Sequence, residues 1–138
     1  MCVVYDTNVV VSAALKPGSI PAALVALAVE QRVQLCLSPA ILAEYTAVLH
    51  RPKFGFEAHS IATLLEDLTR VALLVRPTMR LDVAPDEADN RFLECALEAQ
   101  AAFLVTGNLR HFPRAVFEDI QILAPARFAH VLAERLRP

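Results

Sequence analysis

Short apolar runs alternate with segments of helical period along all 138 residues, and this alternation limits the fold more than any single motif. The runs at Cys2 to Tyr5, Gln34 to Leu37, Ala72 to Val75, Ala102 to Val105 and near Ile120 to Leu123 are too brief for helices and read as buried strands. Between them, apolar residues recur at helical spacing: Ala23, Leu24, Leu27 and Ala28 within Ile20 to Gln31, then Ile41, Tyr45, Val48 and Leu49 after Ser38-Pro39. Ile61, Leu64, Leu65 and Leu68 mark a helix from Glu57 to Val71, Phe92, Leu93, Ala96 and Leu97 one ending near Ala99, and Pro125 to Leu136 a closing helix. Val9 to Leu15 either continues the first strand or turns into a helix. Strands alternating with helices require crossovers of one hand, hence a mostly parallel sheet with helices on both faces. The expectation is one three-layer α/β/α domain over residues 1–138.

Composition narrows the function. Hydrophobic residues make up 56% of the chain and mean hydropathy is +0.44, so part of the apolar surface is expected in an oligomer interface. No apolar run reaches the roughly 18 to 20 residues that span a bilayer. The N-terminus lacks the basic segment and cleavage site of a signal peptide, so a cytoplasmic location is expected. Cys2, Cys36 and Cys95 lie far apart within apolar segments and read as small core residues, and the four histidines show no zinc-ligand spacing. The net charge of −2 gives no global field for nucleic acid. Any phosphate binding therefore falls to local basic pairs: Arg51 with Lys53, Arg76 with Arg80, and Arg110 with Arg114.

Three carboxylates stand out by position. Asp6 ends the first apolar run, where open α/β sheets gather their ligands. Glu44 lies three residues after Ile41 and four before Val48, on the apolar stripe of its helix, and Asp89 falls on the stripe of its own helix, three residues before Phe92, four before Leu93 and seven before Ala96. Asp86 sits where an N-cap would. Burying unpaired carboxylates costs several kcal/mol each, on the order of the penalty for any desolvated ion. Either buried arginine or a hard cation must compensate them. No arginine lies on the stripes of the readable helices, which favours a cation with oxygen ligands, and Mg²⁺ suits carboxylates combined with substrate phosphate.

Four segments in this order, Val-Val-Tyr-Asp-Thr-Asn, Ser-Pro-Ala-Ile-Leu-Ala-Glu-Tyr, Asp-Asn-Arg-Phe-Leu-Glu-Cys-Ala and Val-Thr-Gly-Asn, resemble the motifs of PIN-domain ribonucleases. The likeness is closest to the toxins of bacterial toxin-antitoxin pairs, of which VapC-type proteins are the best known. This resemblance covers nearly the whole chain. It implies a five-stranded parallel sheet in the order 3-2-1-4-5, Mg²⁺- or Mn²⁺-dependent cleavage of RNA, and metal-binding acids at Asp6, Glu44 and Asp89. The fourth acid usual in the family is replaced by Asn108, which brings an amide oxygen but no charge, so one tightly held ion is expected rather than two. A metal in this site would activate a water for in-line attack on the phosphate. Thr7, Asn8 and Thr106 would orient ligands, and Arg110 would reach a phosphate. A small protein antitoxin and a second copy of the chain are the partners the resemblance implies.

Two other functions compete. One is a PIN-like module that has lost efficient catalysis and binds RNA or a protein, a reading that Asn108 keeps open. The other is a phosphohydrolase with Asp6 as nucleophile. It lacks the second acid that such sites place two residues on, where Asn8 stands, and Lys16 and Lys53 are the only lysines. A nucleotide-binding Rossmann domain fits less well still, because no glycine-rich loop follows the first strand.

Overall fold

The computed structural model describes residues 2–112 and 115–136, so Pro113 and Arg114 lie outside the described residues. In chain order the elements are β1 (Cys2–Tyr5), α1 (Thr7–Leu15), α2 (Ile20–Val29), β2 (Gln34–Leu37), α3 (Pro39–Leu49), α4 (Ala58–Val71), β3 (Leu73–Leu74), α5 (Glu87–Ala99), β4 (Phe103–Val105), β5 (Val116–Phe117), β6 (Ile120–Leu123) and α6 (Pro125–Arg135). The sheet order is β3-β2-β1-β4-β6-β5. All pairings are parallel except the outermost, in which β5 runs antiparallel to β6.

The expected order 3-2-1-4-5 thus stands with its fifth strand at β6, and a sixth strand is added beyond it. That strand is two residues long and returns through a tight turn in which Glu118 takes φ 53. A segment so short carries no alternation to read.

Strand β1 is central because both of its edges are paired. Val3 sits opposite Leu35 on one side and Phe103 on the other, and Val4 and Tyr5 face Leu104 and Val105. Val3, Val4 and Tyr5 are fully buried, as a strand covered on both faces should be. The chain then turns at once into α1, with Asp6 as its N-cap, which resolves the ambiguity over Val9 to Leu15 in favour of helix. Ser19 and Ser38 cap α2 and α3, each accepting from the backbone N–H three residues on, and each is followed by a proline in the first turn.

Helix α5 packs on β1, β2 and β4, while α1 packs on α2 and α3, and α2 on α4 and α6. The core holds an aromatic cluster in which Phe128 of α6 meets Tyr5 edge-on at 6.3 Å and Phe103 at 5.2 Å between ring centroids. Tyr45 of α3 donates its hydroxyl to the Tyr5 carbonyl, which ties α3 to the end of β1. Cys36 and Cys95 are buried, Cys2 is half-buried, and all three are free thiols. Burial pushes the Cys95 thiol up to about 12 and raises that of Cys36 as well, so both are core residues that stay protonated. Among the described residues no single helix is long and apolar enough to cross a membrane.

Candidate metal centre

The carboxyl ends of β1 and β4 lie side by side, so the residues that follow them meet. Asp6 is 5% exposed and both of its carboxylate oxygens are engaged. Oδ1 accepts from the Thr7 backbone N–H at 2.7 Å. Oδ2 accepts from the Thr106 hydroxyl at 2.7 Å and from the Asn8 amide at 3.3 Å. Thr106 is in turn held by the Asn108 backbone N–H, and the Asn8 side-chain oxygen accepts from Gly107 N–H at 2.9 Å. The Asp-Thr-Asn of one strand end and the Thr-Gly-Asn of the other form a single hydrogen-bonded lattice, with Asp6 fixed at its centre. Thr7 contributes its N–H, while its buried hydroxyl has no partner.

Around this lattice lies an open cleft of about 380 Å³. Its walls include Asp6, Thr7, Asn8, Glu44, Asp86, Asp89, Asn108 and His111, with Arg51, Lys53 and Phe54 on the α3 side. The structure therefore brings Asp6, Glu44, Asp89 and Asn108 to one place. Thr106 lies behind Asp6, and Arg110, expected near a phosphate, is exposed and is not part of the cleft wall. The basic pair that does reach the cleft is Arg51 with Lys53, whose ammonium stands 5.1 Å from the centre of the Phe54 ring. Glu44 is half-buried rather than buried. It occupies the edge of its helical stripe, where the cleft opens to solvent.

Asp89 is the most costly member of the set. It is 5% exposed, and its Oδ2 is buried and accepts no hydrogen bond. Burial, followed by the fields of Asp6 and Asp86, pushes its pKa up to about 6, against a smaller opposing effect of His111. Asp6 is raised by burial as well, partly offset by the Thr106 hydroxyl and the Thr7 N–H.

One arginine of α5, Arg91, is half-buried beside the apolar stripe rather than on it. The side chain of Arg91 is 13% exposed and pairs with Glu94, itself 6% exposed, at 2.9 Å and with Glu87 at 2.8 Å. The residue is amphipathic: its stem is buried while its head finds acids on its own helix. Those acids absorb its charge, and Asp89 is left without a cationic partner other than His111.

Asn90, Glu94 and His111 gain a place that their sequence context did not suggest. Asn90 is fully buried and its side-chain oxygen accepts from the N–H groups of Val83 and Ala84, while Glu94 accepts from Leu81 N–H. Together they pin the irregular segment that delivers Asp86. Asp86 is the N-cap of α5, accepting from Ala88 N–H, and faces the cleft at the same time. His111 ends a 3-10 turn, Leu109–His111, that follows Asn108 directly and places its Nδ1 3.4 Å from Asp89 Oδ2. A turn signature after Asn108 was the available clue. One ligand atom from each of Asp86, Asp89 and His111 can be chosen so that all lie within 4.8 Å of one another.

This donor set suits a cation. Oxygen ligands predominate, one buried carboxylate oxygen has no hydrogen bond, and neither buried acid, Asp6 or Asp89, is paired with an arginine among the described residues.

Comparison with known proteins agrees with the fold. A family model described as PIN domain matches residues 2–110. The uncharacterized protein MJ1680 of Methanocaldococcus jannaschii is 34% identical over 110 residues, covering 77% of this chain and 70% of the relative. A chain in the crystal structure of VapBC2 from Rickettsia felis, bound to a DNA fragment from its promoter, superposes with a TM-score of 0.57 at 14% identity. That superposition covers 90% of this chain and 98% of the other.

Proposed function

The chain belongs to the PIN-domain family, and on that premise we propose that it is a divalent-metal-dependent endoribonuclease, the toxin of a toxin-antitoxin pair. The observation that carries this reading is the convergence of Asp6, Glu44 and Asp89 on one cleft, with Asp89 Oδ2 buried and accepting no hydrogen bond. Asp6, Glu44 and Asp89 would hold Mg²⁺ or Mn²⁺, with the Asn108 amide oxygen as a neutral neighbour. When bound, such an ion supplies Lewis acidity toward water and toward the phosphate oxygens.

The protein's own residues do the rest. Thr106, Asn8 and the Thr7 N–H fix the Asp6 carboxylate, so that its orientation does not have to be found anew each time a ligand enters. Arg51 and Lys53 put positive charge on the wall of the same cleft as the acids, where a nucleic-acid backbone would otherwise be repelled. The open form of the cleft fits a single strand or a loop better than it fits a small molecule.

The expected partners are a small protein antitoxin and a second copy of this chain. The complex of the structural relative supports the first. Exposed Leu15 and Ile20, where α1 meets α2, and exposed Leu73 and Leu74 on the edge strand β3 supply apolar surface of the kind that association covers.

One observation favours a second reading, a PIN-like module that binds without cutting efficiently: Asn108 lines the cleft and brings no charge. The phosphohydrolase reading is weaker, because both oxygens of Asp6 are engaged by donors that blunt it as a nucleophile. Cleavage of RNA with Mn²⁺ or Mg²⁺ by wild type and Asp6→Asn separates these. Metal-dependent cleavage lost in the variant supports the nuclease, equal activity in both removes the assignment, and RNA binding without cleavage supports the module.

A further inference from the structure

Asn108 leaves the cleft one carboxylate short of the set the family resemblance implies, and the 3-10 turn that follows it carries His111 back to the acids. We propose that Asp86, Asp89 and His111 form a second cation position that takes a first-row transition ion such as Mn²⁺ or Zn²⁺ in preference to Mg²⁺. This rests on the metal-dependent reading above and adds His111 as a ligand.

The geometry is close to what one ion needs. Two ligands of one ion at bond lengths near 2.1 Å lie at most about 4.2 Å apart. Neighbouring ligands of a tetrahedral ion stand about 3.4 Å apart, the separation His111 Nδ1 and Asp89 Oδ2 already have, and all the atoms chosen from Asp86, Asp89 and His111 lie within 4.8 Å of one another, so a side-chain movement of up to about 1.4 Å completes the site. Asp86 and His111 are exposed and free to make that adjustment, the His111 side chain being 49% exposed. Asp86 uses one oxygen to cap α5 and keeps the other available. Asp89 supplies the sign of a missing ligand, since its Oδ2 is buried and accepts no hydrogen bond. His111 Nδ1 stands 3.4 Å from that oxygen without forming a hydrogen bond to it, so an ion pair between them leaves it unsatisfied. A cation between the two would engage both.

The identity of the ion follows from the donor types. Imidazole binds the later first-row ions well and Mg²⁺ poorly, whereas a site of carboxylates alone suits Mg²⁺. Exchange of a carboxylate at position 108 for an imidazole three residues later therefore changes which metals the cleft prefers, as well as how many charges it holds.

The test is calorimetric titration of the chelator-stripped full chain with Mn²⁺, Zn²⁺ and Mg²⁺, comparing wild type, His111→Ala, Asp86→Asn and Asp6→Asn. Loss of a metal ligand should weaken binding by at least the about tenfold seen for groups that only support ligands. Wild type should bind Zn²⁺ and Mn²⁺ more tightly than Mg²⁺, His111→Ala and Asp86→Asn should each lose about tenfold or more for the transition ions, and Mg²⁺ binding should persist in His111→Ala. A Zn²⁺-induced shift of the His111 ring nitrogens in NMR spectra would support direct ligation. Unchanged transition-metal affinity in His111→Ala, or a wild-type preference for Mg²⁺, overturns this proposal. If Asp6→Asn abolishes binding while His111→Ala does not alter it, the nuclease reading stands and this one fails. Absence of any metal binding by wild type overturns both.

Discussion

Thr106 donates a 2.7 Å hydrogen bond to Asp6 across a separation of 100 positions in sequence. The bond exists because β4 is the immediate parallel neighbour of β1, with Tyr5 opposite Val105, so the next residue of each strand falls within reach of the other. A hydrogen bond to a charged group contributes roughly 1.5–3 kcal/mol. Thr106→Val keeps the shape and removes the donor, and is expected to destabilise the protein by about that amount. It also frees Asp6 to rotate. Urea denaturation checks the first effect, and a weaker metal affinity in titration checks the second.

Asp89 makes the metal-free protein sensitive to pH. Its folded pKa of about 6 lies above the ordinary value of 3.8, so between those limits the native state holds more protons than the unfolded one. The contribution of this group to stability is therefore full below about 4 and falls as pH rises through about 6, by on the order of 2–3 kcal/mol. Asp6, also raised, acts in the same direction. In chelator, Asp89→Asn should be more stable than wild type at pH 7, and the advantage should vanish near pH 4. Melting temperatures measured across that range decide it.

Arg91 and Glu94 are nearly buried and paired, so removal of one strands the other. Breaking a buried pair in this way costs about 3–5 kcal/mol. Arg91→Met is expected to approach that loss and to loosen the segment around Leu81, whose N–H and carbonyl are held by Glu94 and Arg91 respectively. Faster amide exchange at Leu81, Val83 and Ala84 is the specific sign, and unchanged exchange there would show that the pair does not anchor this segment.

Arg51 and Lys53 are exposed, and their replacement should change stability by no more than about 0.5 kcal/mol. For a single strand, each phosphate that a side chain no longer neutralises lowers the slope of log affinity against log salt by about 0.7. Arg51→Ala and Lys53→Ala are expected to weaken RNA binding uniformly across sequences with that change in slope. A salt series of binding measurements on the two variants tests it.

Asn108→Asp restores a fourth carboxylate to the cleft. Mg²⁺ should then bind more tightly, and the metal-free protein should lose stability from added repulsion with its neighbours. Titration and melting in chelator read these opposite effects in one variant.

The chain by itself determined most of the elements and marked the three acids as candidates. The burial of Val3 to Tyr5, the caps at Ser19 and Ser38, and the helical spacing that puts Asp89 among Phe92 and Leu93 are local properties, because each depends on how one segment presents its own side chains. The same spacing overstated the burial of Glu44, since it reports the side of the helix and not where that side ends. Only the tertiary structure decided which ends meet. The place of β1 between β2 and β4 joins Asp6 to Thr106, and the 3-10 turn after Asn108 returns His111 to Asp89. These are distances between segments remote in sequence or bent out of periodic structure, and no repeat within one segment encodes them.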